Sequence, residues 1–118
     1  MPEGPELHLA AQFVRSIGHR HLFTGAVIKS EVSVKNPDVP WKKPRYRVDA
    51  LSRGKEMKVL LKDAKSNAST SILFHFGMSG KFEWTTKEEL PKHAHLQFYA
   101  EKDDMVLSFV DYRRFGRW

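Results

Sequence analysis

Tyr46-Arg47-Val48-Asp49-Ala50-Leu51-Ser52-Arg53-Gly54-Lys55-Glu56-Met57-Lys58-Val59-Leu60-Leu61 reads as two strands folded about a turn. Tyr46, Val48 and Ala50 alternate with Arg47 and Asp49, which sends apolar and polar side chains to opposite faces of an extended chain. Ser52-Arg53-Gly54-Lys55 supplies the turn, and Met57, Val59 and Leu61 resume the alternation beyond it. Working outward, residues 71–76 read as an apolar strand, broken by Gly77-Met78-Ser79-Gly80, with 81–84 extended again. Residues 95–100 and 105–110 pair across Glu101-Lys102-Asp103-Asp104. Upstream, 27–34 alternates imperfectly and is expected to be a strand. Asn36-Pro37-Asp38 and 40–44 form a turn-rich connection, 64–70 a small polar loop, and 86–90 a single helical turn. Ahead of all this, Leu7, Ala10, Ala11, Val14 and Ile17 recur on one helical face. Pro5 suits the first turn and Gly18 the stop, so a helix over 5–17 is expected. One helix followed by about seven short strands predicts an α+β, mainly β domain: a β-sandwich with an N-terminal flanking helix.

Composition narrows the class. The 118 residues are 41% hydrophobic and 29% charged, one domain long enough to bury a core unaided. Nothing approaches the roughly 20 apolar residues of a membrane-spanning helix, and the start lacks a signal-peptide pattern. The absence of cysteine excludes disulfides and thiolate metal sites. Asn67-Ala68-Ser69 fits a glycosylation acceptor but reads as part of the polar loop. A net charge of +6 and a pI near 9.7 point to a polyanionic partner. Lys42, Lys43, Arg45, Arg47, Arg53, Lys55, Lys58, Lys62 and Lys65 crowd one segment, of which Lys58, Lys62 and Lys65 read as a solvated strand face. Arg113, Arg114 and Arg117 close the chain beside Phe115 and Trp118, a mixture suited to phosphate contacts and to wedging between bases. Such a dense ending reads as cut from something longer.

The first six residues, Met1-Pro2-Glu3-Gly4-Pro5-Glu6, carry chemistry of their own. Removal of Met1 would leave Pro2 with a free secondary amine, a nucleophile that forms an iminium with a carbonyl carbon. A terminal amine titrates at about pH 8, and the start of a helix lowers its basicity further. Glu3 and Glu6 lie close enough in sequence to move protons. Prolines that merely begin a helix produce the same pattern without chemistry. His93 and His95 have the His-x-His spacing of a metal pair; with no third ligand evident nearby they read as structural or phosphate-adjacent. His19 and His21 flank a turn and are assigned no role.

Five segments in one order, Met1-Pro2-Glu3-Gly4-Pro5-Glu6-Leu7-His8-Leu9-Ala10, Arg53-Gly54-Lys55-Glu56, Phe76-Gly77-Met78-Ser79-Gly80, Lys92-His93-Ala94-His95-Leu96 and Asp111-Tyr112-Arg113-Arg114-Phe115-Gly116-Arg117-Trp118, resemble the formamidopyrimidine-DNA glycosylase/endonuclease VIII family, most of all its vertebrate Nei-like branch. The likeness spans 1–118 and implies the N-terminal catalytic domain of a bifunctional DNA glycosylase and abasic-site lyase. By position it makes Pro2 the Schiff-base nucleophile, Glu3 its proton partner during sugar opening, Glu6 a second carboxylate near the flipped nucleotide, and Lys55 a hairpin lysine on the phosphodiester. Met78, Arg113 and Phe115 match the residues that fill the void left by a flipped nucleotide. His75 matches a phosphate contact, and Arg114 is assigned the same duty. Read without the resemblance, Met78 suits a core position, His75 a satisfied strand histidine and Lys55 a turn lysine.

The resemblance further implies damaged DNA (duplex, bubble or single-stranded) as partner, no cofactor, no membrane, a monomer, and residence in the nucleus. It also implies a second, helical DNA-gripping domain that this sequence lacks, so weak or lost activity on duplex is expected. Two rival readings are a non-catalytic nucleic-acid-binding module and an amino-terminal-proline tautomerase; the latter begins its proline at a strand rather than before a helix.

Overall fold

A computed structural model of the chain describes residues 4–76, 80–112 and 117–118. One helix, α1 (Gly4–Arg20), precedes eight strands among the described residues: β1 (Phe23–Ala26), β2 (Ile28–Lys29), β3 (Lys42–Arg53), β4 (Glu56–Asp63), β5 (Ser69–Phe74), β6 (Lys81–Thr86), β7 (Ala94–Tyr99) and β8 (Met105–Val110). They form two four-stranded antiparallel sheets, ordered β1-β3-β4-β5 and β2-β7-β8-β6. The mainly β sandwich with its N-terminal helix is the architecture expected from the sequence.

The alternation in β3 and β4 sorts side chains as anticipated. Tyr46, Val48, Ala50, Met57, Val59 and Leu61 are buried in the core, while Arg47, Asp49, Leu51 and Lys62 stay outside. Arg53 pairs with Glu56 across Gly54-Lys55. Gly54 takes a φ of 60° and Lys55 does not share it, the type II′ pattern that places glycine first in a two-residue hairpin loop. The β7–β8 hairpin also forms, but its strands are buried on both faces, as a central pair in a covered sheet must be. Between the sheets, Phe74, Phe76, Phe82 and Phe109 meet with ring centroids 5.1 to 5.8 Å apart.

Three expectations are corrected. The helix does not stop at Gly18 but runs on to Arg20. Gly18 is there because a Cβ at that position would collide with the Val48 carbonyl oxygen. Residues 27–34 are not one strand: only Ile28–Lys29 pairs, with β7, and a turn closed by Ser33 N–H donating to Ser30 O at 3.2 Å follows. Val32 and Val34, whose spacing imitated a strand, are 54% and 83% exposed. Lastly, 42–44 belong to β3 rather than to a connection, since they pair with β1 around a bulge.

The helix has a second task. β1 pairs with β3 only as far as Tyr46, which leaves β3 with an open edge farther along. Helix α1 lies there, burying Leu7, Ala11, Val14 and Ile17. Arg15 donates from Nε and Nη2 to Ala50 O at 3.1 and 2.6 Å. Its guanidinium takes the place of the missing strand partner on an edge that would otherwise invite pairing with another chain.

Candidate nucleic-acid site

The segments that the sequence singled out are drawn to one end of the sandwich. Glu6, Leu9, Ala10 and Phe13 on α1 face Phe76, Gly80, Lys81 and Phe82 across a cavity of about 420 Å³. That cavity joins the beginning of the helix to both ends of segment 77–79. Phe76 is held by Phe82 and Phe109 at 5.8 and 5.3 Å, and Gly80 sits so close to Phe76 O and the Phe109 ring that a side chain could not enter. Beside it, His75 exchanges two backbone hydrogen bonds of 2.7 Å with Arg117. The β3–β4 hairpin arrives at the same place, because Met57 pairs with Phe74 and the next residue, Glu56, brings its carboxylate to 3.5 Å from His75 Nε2.

Of the predicted residues, Glu6, Lys55 and His75 are described. Glu6 is exposed on the rim of the cavity. Lys55 is exposed at the hairpin tip with no carboxylate within 4.0 Å among the described residues. His75 has a side chain 53% exposed and paired with Glu56, and its backbone bridges Arg117. Pro2, Glu3, Met78, Arg113, Arg114 and Phe115 lie outside the described residues. Their flanks do not: Gly4 opens α1, Phe76 and Gly80 bracket 77–79, and Tyr112 and Arg117 bracket 113–116.

How the last of these segments is anchored was only partly legible. His95, 3% exposed, uses both ring nitrogens. Nε2 lies 3.0 Å from Asp111 O and Nδ1 2.7 Å from Ser30 Oγ. A carbonyl can only accept, so Nε2 carries a proton and donates to it, while Nδ1 shares a hydrogen bond with the serine hydroxyl. This is the structural reading of His95, and it leaves no lone pair for a metal. His93 meets Tyr112 edge to face with ring centroids 4.7 Å apart, and Asp111 N–H donates to His93 O at 3.1 Å. The His-x-His pair thereby grips the chain just ahead of 113–116. On the far side Trp118 donates its indole N–H to Pro37 O at 2.9 Å and packs on Phe74 and Phe109. Sequence reasoning missed this role of the 30–40 loop; its turn residues, Asn36 and Pro37, were the available signal. Among the described residues no three His, Asp or Glu side chains gather around a point where an ion could bind, and no helix is long and apolar enough to cross a membrane.

What this end of the molecule can do follows from its charge and shape. It presents an apolar-walled cavity, a lysine on a tight turn, an exposed histidine and Arg117 around three short connections. Such a mixture suits a phosphate backbone with something inserted beside it. Comparison with known proteins bears on the same residues. The family model described as "Formamidopyrimidine-DNA glycosylase N-terminal domain" matches residues 1–118. The chain is 48% identical to "Endonuclease 8-like 1" of Homo sapiens and 46% identical to that of Mus musculus, covering 100% of itself and 32% of each relative. It is 30% identical to "Formamidopyrimidine-DNA glycosylase" of Shewanella oneidensis, covering 42% of that protein. The chain thus spans about a third of the length of the two mammalian relatives.

Proposed function

This chain belongs to the formamidopyrimidine-DNA glycosylase N-terminal domain family, and from that premise we propose that it is the nucleophile-bearing part of a base-excision-repair DNA glycosylase with abasic-site lyase activity. After loss of Met1, the Pro2 amine attacks C1′ of a flipped, damaged nucleotide. The N–C1′ bond forms as the glycosidic bond breaks, its electron pair leaving with the base, which is protonated. Glu3 assists proton transfer to O4′ as the sugar opens, giving an iminium. Loss of a C2′ proton then expels the 3′ phosphate, and a second elimination expels the 5′ phosphate. Glu6 lies beside the sugar; Lys55, His75 and Arg114 contact phosphates. Met78, Arg113 and Phe115 fill the vacated space in the duplex, which offsets part of the few kcal/mol that extrusion costs.

The observation that carries this reading is convergence. The described neighbours of Pro2, Lys55, Met78 and Arg113 are far apart in sequence, yet they meet around one cavity and one backbone bridge. A tautomerase reading has no use for that convergence, and in it Pro2 would not precede a helix. Borohydride trapping on abasic-site DNA tests the proposal, after mass spectrometry has established whether Met1 is removed. A covalent adduct that forms with the processed chain and is lost in Pro2→Ala and in a Met1-retaining form supports it. Trapping that persists in Pro2→Ala overturns it.

A further inference from the structure

The outer face of the β1-β3-β4-β5 sheet meets the site above only at its Glu56 end, and its side chains follow an order of their own. Cross-strand register sets Arg47 against Lys62 at one end of the face and Arg53 against Glu56 at the other. Between them Lys58 lies flanked by Leu51 and Leu73, with Leu60 one step along the same strand. Leu51 and Leu73 are each 41% exposed, and Leu60 is half-buried. Beside Leu60 and Lys62, a shallow depression of about 480 Å³ opens toward Ser69 and Ser71.

Charge on this face is unbalanced in a specific way. Both of its carboxylates are engaged, Asp49 by Arg15 at 3.4 Å and Glu56 by His75 at 3.5 Å. Its four cations, Arg47, Arg53, Lys58 and Lys62, have no carboxylate within 4.0 Å among the described residues. Placing Arg47 directly opposite Lys62 is destabilising in a sheet, and an anionic partner would relieve it.

We propose that this face docks a short acidic, amphipathic helical segment of a partner protein. The leucines receive its apolar side and the flanking cations its carboxylates. The dimensions agree: Arg47 to Arg53 spans about 20 Å of strand, the length of a helix of about 13 residues. Nucleic acid fits less well. From Arg47 to His75 the outward positions of β3, β4 and β5 hold no Phe, Tyr or Trp on which bases could stack, and a phosphate backbone would lie across leucines. The inference is independent of the glycosylase reading.

The test is fluorescence anisotropy with a labelled peptide of about 14 residues, leucines at helical spacing on one side and glutamates elsewhere, against a scrambled peptide of equal composition. The ordered peptide should bind the chain at least about tenfold tighter than the scrambled one. Leu73→Asp and, separately, Lys62→Glu should weaken it by about tenfold or more, while Lys102→Glu, off this face, should not. Circular dichroism checks folding, and Leu51→Ser stands in if Leu73→Asp fails to fold. Equal binding of the scrambled peptide overturns the proposal. So does displacement of the peptide by an oligonucleotide whose own affinity falls with Leu73→Asp, which would make this a nucleic-acid face. Dimerisation of the chain abolished by Leu73→Asp would overturn it in favour of a second copy.

Discussion

Gly18 and Tyr46 illustrate how single side chains decide local stability here. At Gly18 the neighbour in the way is the backbone carbonyl of Val48, which cannot rotate aside like a side chain. Gly18→Ala should therefore cost about 1–3 kcal/mol through forced backbone shifts, although alanine is the better helix former by about 1 kcal/mol. Urea denaturation measures this, and an unchanged midpoint would refute it. Tyr46 carries the opposite cost. Its ring is fully buried, its hydroxyl has no hydrogen-bond partner among the described residues, and burial pushes its phenol far above the ordinary value. Tyr46→Phe should leave stability unchanged or raise it by about 1 kcal/mol. Because the folded-state pKa is the raised one, stability is complete below about pH 10 and declines above it, where only the unfolded phenol ionises. Thermal melts from pH 9 to 11 should show that alkaline decline in the wild type and a weaker one in Tyr46→Phe, roughly as far as those pH values exceed the free phenol pKa.

At the scale of elements, two tethers determine how the site end is held. Arg15 joins α1 to β3, and its removal in Arg15→Ala would strip the bond from Ala50 O and expose a strand edge. A loss of about 1.5 kcal/mol is expected, with faster amide exchange along β3, read by hydrogen exchange. His95 joins β7, the 30–40 loop and Asp111. His95→Ala removes two side-chain hydrogen bonds and leaves a void, and should cost about 3 kcal/mol. His95→Gln, able to serve one partner, should recover part of it. Hydrogen exchange at Ser30 and Asp111 distinguishes this from general unfolding. Elements of this kind were unevenly legible in advance. Alternation revealed the β3–β4 hairpin because it has one face on the core; the β7–β8 hairpin, buried on both faces, was legible from its polar turn Glu101-Lys102-Asp103-Asp104. Local pattern failed at 27–34, where Val32 and Val34 alternate by accident in a turn that faces solvent, and at Gly18, where the glycine serves a tertiary contact instead of a helix end.

For the whole molecule, the net charge of +6 and the basic hairpin make the proposed DNA binding a matter of salt. The isolated chain should bind duplex weakly, with affinity falling steeply as salt rises. Lys55→Ala should lower the slope of log affinity against log salt by about 1 if the lysine meets a phosphate. Filter binding over a salt series measures it; nanomolar affinity insensitive to salt would contradict the expectation for a chain spanning a third of its mammalian relatives.

From residue order alone came the α+β, mainly β class, the two hairpins, the basic character and the family. These depend on local period, turn chemistry and motifs read in line, none of which requires knowing what lies across the molecule. Only the tertiary structure decided that α1 shields an open strand edge, that His95 is a two-handed tether, and that α1 and both flanks of 77–79 meet across one cavity while Glu56 and Arg117 reach His75 beside it. Each of those facts is a contact between residues dozens of positions apart, and side-chain chemistry along the chain does not specify which distant backbone carbonyl it will meet.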